Sequence, residues 1–288
     1  MSVVEAIRLP AAVDLGEFVN LLRRLNVPFR VSEESGEQVL WVPNAQLAEQ
    51  VRTLYERYPQ GDPQFSVQAE PLRRGPGFLE QLKLSRMTAT VLLVTCVVAA
   101  VTLLGTYPET LRWLTFQDFR MVGEDRLMFL PLSETLASGQ WWRLLTPMLI
   151  HFGWLHLAMN AMWYWELGRR IEYRQGAGML LGLSLGFGLV SNLVQYAASG
   201  PSLFGGLSGV LYGLLGHCWI FQRMAPTPAY QLPRGVVAMM LIWLLVCLSG
   251  VIDLLGFGSI ANGAHVGGLV AGCLSGLVGG LLARRSAH

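Results

Sequence analysis

From residue 88 onward the charged positions stand far apart. Twenty-two uncharged residues separate Arg86 from Glu109, and another 22 separate Arg143 from Glu166. Forty-eight separate Arg174 from Arg223, 18 separate Arg234 from Asp253, and 30 separate Asp253 from Arg284. A bilayer core about 30 Å thick needs about 20 apolar residues in a helix. The longest interval exceeds one helix, and the cluster from Ala198 through Gly200 and Pro201 to Gly206 breaks it in two. The pattern predicts six helices, near 88–107, 150–169, 177–197, 208–222, 235–255 and 264–283.

The first part of the chain has another pattern. Leu15, Phe18, Leu21, Leu22 and Leu25 recur at helical spacing after Asp14. Residues 30–32 and 38–42 alternate like strands around a turn at Glu33–Gly36. Asn44 is placed to cap a second helix with Leu47, Val51 and Leu54 on one face. A β-α-β-β-α domain over residues 1–65 is expected, serving interaction or regulation, or else a plain appendage. Residues 66–87 form a linker and the approach to the membrane, with Pro71, Gly75, Pro76 and Gly77 among them. The predicted fold class is an α-helical polytopic membrane protein, a six-helix bundle over 88–283 with a small α+β N-terminal cytoplasmic domain and a tail at 284–288.

Charge sharpens this division. Of 288 residues only 14% are charged, and the net charge is +2. Positions 1–87 hold 21 charged residues, about the density of a soluble domain, whereas 88–283 hold 17 in more than twice the length. Such a balance argues against nucleic acid as a partner and against disorder. Arginines and lysine flank the predicted helices at 73–86, 169–174, 223–234 and 284–285. With six spans these four segments share one side, so both termini are expected in the cytoplasm. The polar N-terminus carries no cleavable signal pattern. Cys96, Cys218, Cys247 and Cys273 all fall inside predicted spans and read as small buried apolar residues. No metal site or cofactor is expected.

Polar residues at membrane depth are costly, so each is a functional candidate. His151, His156 and Asn160 fall on the second predicted helix, the last two on one face. Gly206-Leu207-Ser208-Gly209 opens the fourth, and Asn262-Gly263-Ala264-His265 opens the sixth. The fourth helix has about 15 residues, about 22 Å, too short to span the bilayer. Its start, Ser208, therefore lies below the outer surface, preceded by irregular backbone. Helices 2, 4 and 6 run the same way, so His156, Ser208 and His265 share a depth. Gly268, Gly272, Gly276 and Gly280 recur every four residues and bring helix 6 close to a neighbour. A Ser beside a His suits nucleophilic catalysis, with Tyr212 one turn below to pack on the imidazole. The helix start, His156 and Asn160 would supply oxyanion donors. No carboxylate stands out as a third member, Asp253 being in a loop, so a Ser208–His265 dyad is expected. Taken singly, each residue also has a plain packing reading. For His217 that is the default.

Together, Trp142-Arg143, His156-x-x-x-Asn160, Gly206-Leu207-Ser208-Gly209 and Ala264-His265-x-x-Gly268 resemble the rhomboid intramembrane serine proteases. The N-terminal domain with six helices is similar to the bacterial GlpG subtype. The resemblance implies an endopeptidase of the bacterial inner membrane that cuts transmembrane-helix substrates, with its site opening to the periplasm. It implies a structural role for Trp142-Arg143 in the first loop. His151 would organise buried water and that loop, and Glu172 would be a structural hydrogen-bonding residue. Pro147 departs from the polar His of a close relative, which bears on the first-loop hydrogen bonding. Expected partners are transmembrane proteins and membrane lipid, with the oligomeric state undetermined.

Two other classes compete. A catalytically dead client-binding relative would lack Ser208 or His265, and a transporter would show internal repeats and more helices. A metalloprotease would carry HExxH or similar ligands, which the sequence lacks.

Overall fold

The computed structural model describes residues 4–61, 77–123, 126–254 and 260–286. They fall into two compact units that divide between residues 75 and 76.

The first unit runs β1 (Val4–Pro10), α1 (Gly16–Arg24), β2 (Arg30–Glu34), β3 (Glu37–Val42) and α2 (Ala45–Arg57). β3 lies between β1 and β2, antiparallel to both, with Val4 opposite Val42 and Val31 opposite Leu40. The Asn44 side chain accepts the Leu47 N–H at 2.8 Å and so caps α2. Phe18, Leu22, Leu40, Val42, Ala48 and Val51 form a buried core between helices and sheet.

The second unit begins with α3 (Phe78–Leu84) and α4 (Arg86–Val101), then α5 (Pro108–Leu111), a hairpin of β4 (Phe119–Val122) and β5 (Arg126–Phe129), and α6 (Leu132–Ala137). It continues with α7 (Trp154–Gln175), α8 (Ala177–Ser199), α9 (Ser208–Met224), α10 (Arg234–Leu248), α11 (Val251–Leu254) and α12 (Asn262–Arg285). By length and composition α8 and α12 can cross a membrane, while α4 and residues 235–248 are shorter apolar helices. Leu245, Val270, Leu274 and Leu282 are all exposed on this unit. An apolar surface of that kind suits lipid rather than water.

Helix α9 is the axis of the bundle. Every residue from Gly209 to Cys218 is buried, because α7, α8 and α12 surround it. Its contact with α12 is backbone to backbone. A Cβ at Gly268 would overlap the Gly209 carbonyl, one at Gly272 the Gly213 carbonyl, and one at Gly276 would lie 2.5 Å from the His217 carbonyl. The glycine repeat thus sets how near the two helices come.

Four helix limits differ clearly from the sequence expectation. The first long helix stops at Val101 and turns through a 3-10 segment, Leu103–Gly105. The fifth stops at Leu248. The second starts at Trp154, so His151 precedes it rather than lying on it. That helix also runs on to Gln175 through Glu166, Arg169, Arg170, Glu172 and Arg174. Most of its charges are partnered, and Arg174 is exposed. Glu166 pairs with Arg169 at 2.6 Å and Arg170 at 2.5 Å. Arg170 also donates to the Ala229 carbonyl at 3.1 Å.

Candidate active site

Ser208 is the first residue of α9, and His265 lies in the first turn of α12. Their helices are in glycine contact, and His265 Nε2 stands 2.7 Å from Ser208 Oγ. Nδ1 of His265 is buried and has no hydrogen-bond partner among the described residues. The Asp253 side chain lies outside those residues. Tyr212, one turn below Ser208, packs its ring 5.0 Å from the His265 ring, tilted by 46°. Its hydroxyl donates to the Met240 carbonyl of α10 at 3.1 Å.

The backbone before Ser208 is irregular from Gly200 to Gly206. Gly206 has φ +126°, and a Cβ there would lie 2.8 Å from His156 Nε2 and 3.7 Å from Asn160 Nδ2. Only glycine fits, and through it both side chains of α7 come beside the start of α9. Phe152 N–H donates to His156 Nδ1 at 3.4 Å, which leaves the proton on Nε2. The Asn160 amide nitrogen is buried with no partner among the described residues. The first N–H groups of α9 have no intrahelical acceptor.

His151 lies in the turn before α7 and is fully buried. Its Nδ1 faces the Leu149 carbonyl at 3.1 Å, and Nε2 accepts the Leu207 N–H at 3.5 Å. It therefore ties the first loop to the residue preceding Ser208. Pro147 joins the same link through its carbonyl, which accepts Gly206 N–H at 3.0 Å. A backbone group thus makes a bond there that needs no polar side chain at position 147.

The first loop is organised by Arg143, which is 1% exposed. Its guanidinium donates to Gln140 Oε1 at 2.7 Å, to the Arg112 carbonyl at 2.5 Å and to the Thr115 carbonyl at 3.0 Å. Asp118 adds an ion pair at 3.5 Å. Trp142 donates its indole N–H to the Trp113 carbonyl at 2.9 Å. Glu172 accepts the Met87 and Thr88 amides at 2.8 Å each, capping α4.

Sequence reasoning passed over a polar stripe on α8. Asn192 donates to the Leu144 carbonyl at 2.9 Å. Gln195 accepts the Ala264 N–H beside His265 at 3.1 Å. A Cβ at Gly209 would lie 2.6 Å from Ser191 Oγ. Met148, Ser191, Phe204, Gly206 and Ala264 line a small cavity next to Ser208. The signal was present, since 191, 192 and 195 are the polar positions of one stretch of an otherwise apolar helix.

A part-buried Ser–His pair at hydrogen-bond distance among apolar helices is the arrangement nucleophilic serine chemistry needs. Residues 138–281 match the model of the rhomboid domain, and residues 1–69 match that of the rhomboid N-terminal domain. The chain belongs to the rhomboid family. It is an intramembrane serine protease with a polytopic helical membrane fold, and its substrates are transmembrane proteins.

Proposed function

We propose that Ser208 is the nucleophile and His265 the general base of a two-residue catalytic pair. The observation that carries this is the 2.7 Å approach of Nε2 to Oγ. His265 takes the Ser208 proton as Oγ attacks the scissile carbonyl. The carbonyl oxygen becomes an oxyanion, received by the Ser208 N–H, His156 Nε2 and Asn160 Nδ2. Collapse breaks the C–N bond, and His265 passes its proton to the leaving amine. Water, deprotonated by His265, then hydrolyses the acyl-enzyme. Tyr212 holds the imidazole from below. Gly206, Gly209 and Gly268 permit the close backbone approach, and His151, Trp142 and Arg143 support the loop around it.

We further infer six spans, formed by α4, α7, α8, α9, α10 and α12. Residues 1–65 then form a cytoplasmic domain, 66–87 the approach, 88–283 the bundle, and 284–288 a cytoplasmic tail. The arginine distribution supports cytoplasmic termini. On that orientation Ser208 and His265 lie toward the outer side, the periplasm of a GlpG-type enzyme in a bacterial inner membrane, and the exposed apolar face of the bundle meets lipid.

The experiment is covalent labelling of Ser208 by a fluorophosphonate in membranes, located by mass spectrometry. The expected result is one adduct on Ser208 that is lost in His265→Ala. An active preparation with Ser208 unlabelled would overturn the assignment.

A further inference from the structure

Three consecutive residues after α4 adopt left-handed backbone: Leu103 at φ 48°, Leu104 at φ 53° and Gly105 at φ 75°. Leucine rarely takes this conformation, and it persists only where the surroundings fix it. The other described non-glycine residues with positive φ, Asn26 and Ser35, lie in turns of the N-terminal unit. The surroundings of 103–105 are the residues that lead into α7. Gly153 N–H donates to the Leu104 carbonyl at 3.1 Å. Gly105 lies against Phe152, so that an added Cβ would be 2.6 Å from its ring and 3.3 Å from the His151 carbonyl. Gly153, itself at φ 86°, is the residue from which α7 starts. Phe152 N–H in turn donates to His156 Nδ1.

We propose that the left-handed turn Leu103–Gly105 is a positioning element for His156. It fixes the Phe152–Gly153 segment, which sets both the start of α7 and the hydrogen bond that orients the His156 ring. Strain in the turn is offset by these contacts, so the turn and the ring are held as one piece. The inference rests on the reading of His156 as an oxyanion donor.

The test is a double-variant cycle on the full-length enzyme in proteoliposomes, with a transmembrane-helix substrate. Gly105→Ala places a methyl group against Phe152 and is expected to lower kcat about tenfold, the scale of a misplaced catalytic group. KM should stay within about twofold, since transition-state rather than ground-state binding is lost. In a His156→Ala background the same substitution should cost nothing more. An equal further loss in that background would overturn the proposal. Full activity of His156→Ala alone would instead overturn the oxyanion assignment. Phe152→Leu loosens the contact without touching the strained backbone and runs through the same cycle if Gly105→Ala does not fold. An unchanged kcat for Phe152→Leu would then overturn the proposal.

Discussion

At the scale of residues, the site depends on a few polar atoms in a low-dielectric setting. Ser208→Ala and His265→Ala are each expected to abolish cleavage while the protein still inserts, which a cleavage assay beside a thermal unfolding curve would establish. His156→Ala removes one of the proposed oxyanion donors and should cost about 10²–10³ in kcat. A loss under tenfold would move the oxyanion elsewhere. The residues proposed for catalysis are legible in the sequence because they are polar atoms where polarity is expensive. Ser208, His265, His156 and Asn160 stood out against apolar neighbours. The buried polar face of α8 has the same character, but Ser191, Asn192 and Gln195 carry no motif to mark them. Their role shows only when Gly209 and Ala264 are seen against them. The sequence pattern places His151 on the helix, since nothing in its neighbours reveals that α7 starts after Gly153.

At the scale of elements, the α9–α12 contact and the first loop carry opposite kinds of rigidity. Gly272 meets the Gly213 carbonyl directly. Gly272→Val should therefore force the helices apart, lower stability by about 1–3 kcal/mol and reduce cleavage. A thermal unfolding midpoint equal to the parent's would contradict the close contact. The first loop is held instead by polar bonds around Asp118 and Arg143. Burial alone would raise the Asp118 carboxyl. The hydrogen bond from Arg112, the Phe119 amide and the Arg143 charge outweigh it and hold the group below its ordinary value. A depressed carboxyl stabilises the fold above its unfolded pKa, and that contribution is lost as pH falls through the folded value. Stability should thus drop below about pH 4, and Asp118→Asn should lower it at pH 7 while flattening the acid arm. Tryptophan fluorescence melts from pH 7 to pH 3 report this. An acid arm as steep in the variant as in the parent would assign it to other groups.

Helix existence was legible at this scale, while helix ends were not. Uncharged intervals mark apolar helices, yet α7 carries Glu166, Arg169, Arg170 and Glu172 inside its last turns because those groups find partners. The β4–β5 hairpin was missed, since it lies in a mixed-charge loop where no apolar run announces it.

At the scale of the molecule, the residues proposed for catalysis all fall in the second unit. They lie between His151 and Gly268, with the first-loop pair just before them. Protein beginning at residue 77 should cleave a transmembrane substrate in detergent at a rate close to that of the full chain. A large loss of kcat would give the N-terminal unit a part in turnover. The division into a charge-rich and a charge-poor part is readable from the sequence alone, because each solvent selects its own composition.

The glycine seam between α9 and α12 has one more consequence. The two backbones are already in van der Waals contact, so no compression can shorten their separation and no side-chain rotamer sets it. Membrane thickness can tilt the pair only as a unit. A small fluorophosphonate should then react with Ser208 at one rate in thin and thick bilayers alike, while the cleavage rate of a transmembrane helix varies with the lipid. Matching chemistry to a fixed spacing would leave the membrane to decide which substrates arrive, not how fast the serine reacts.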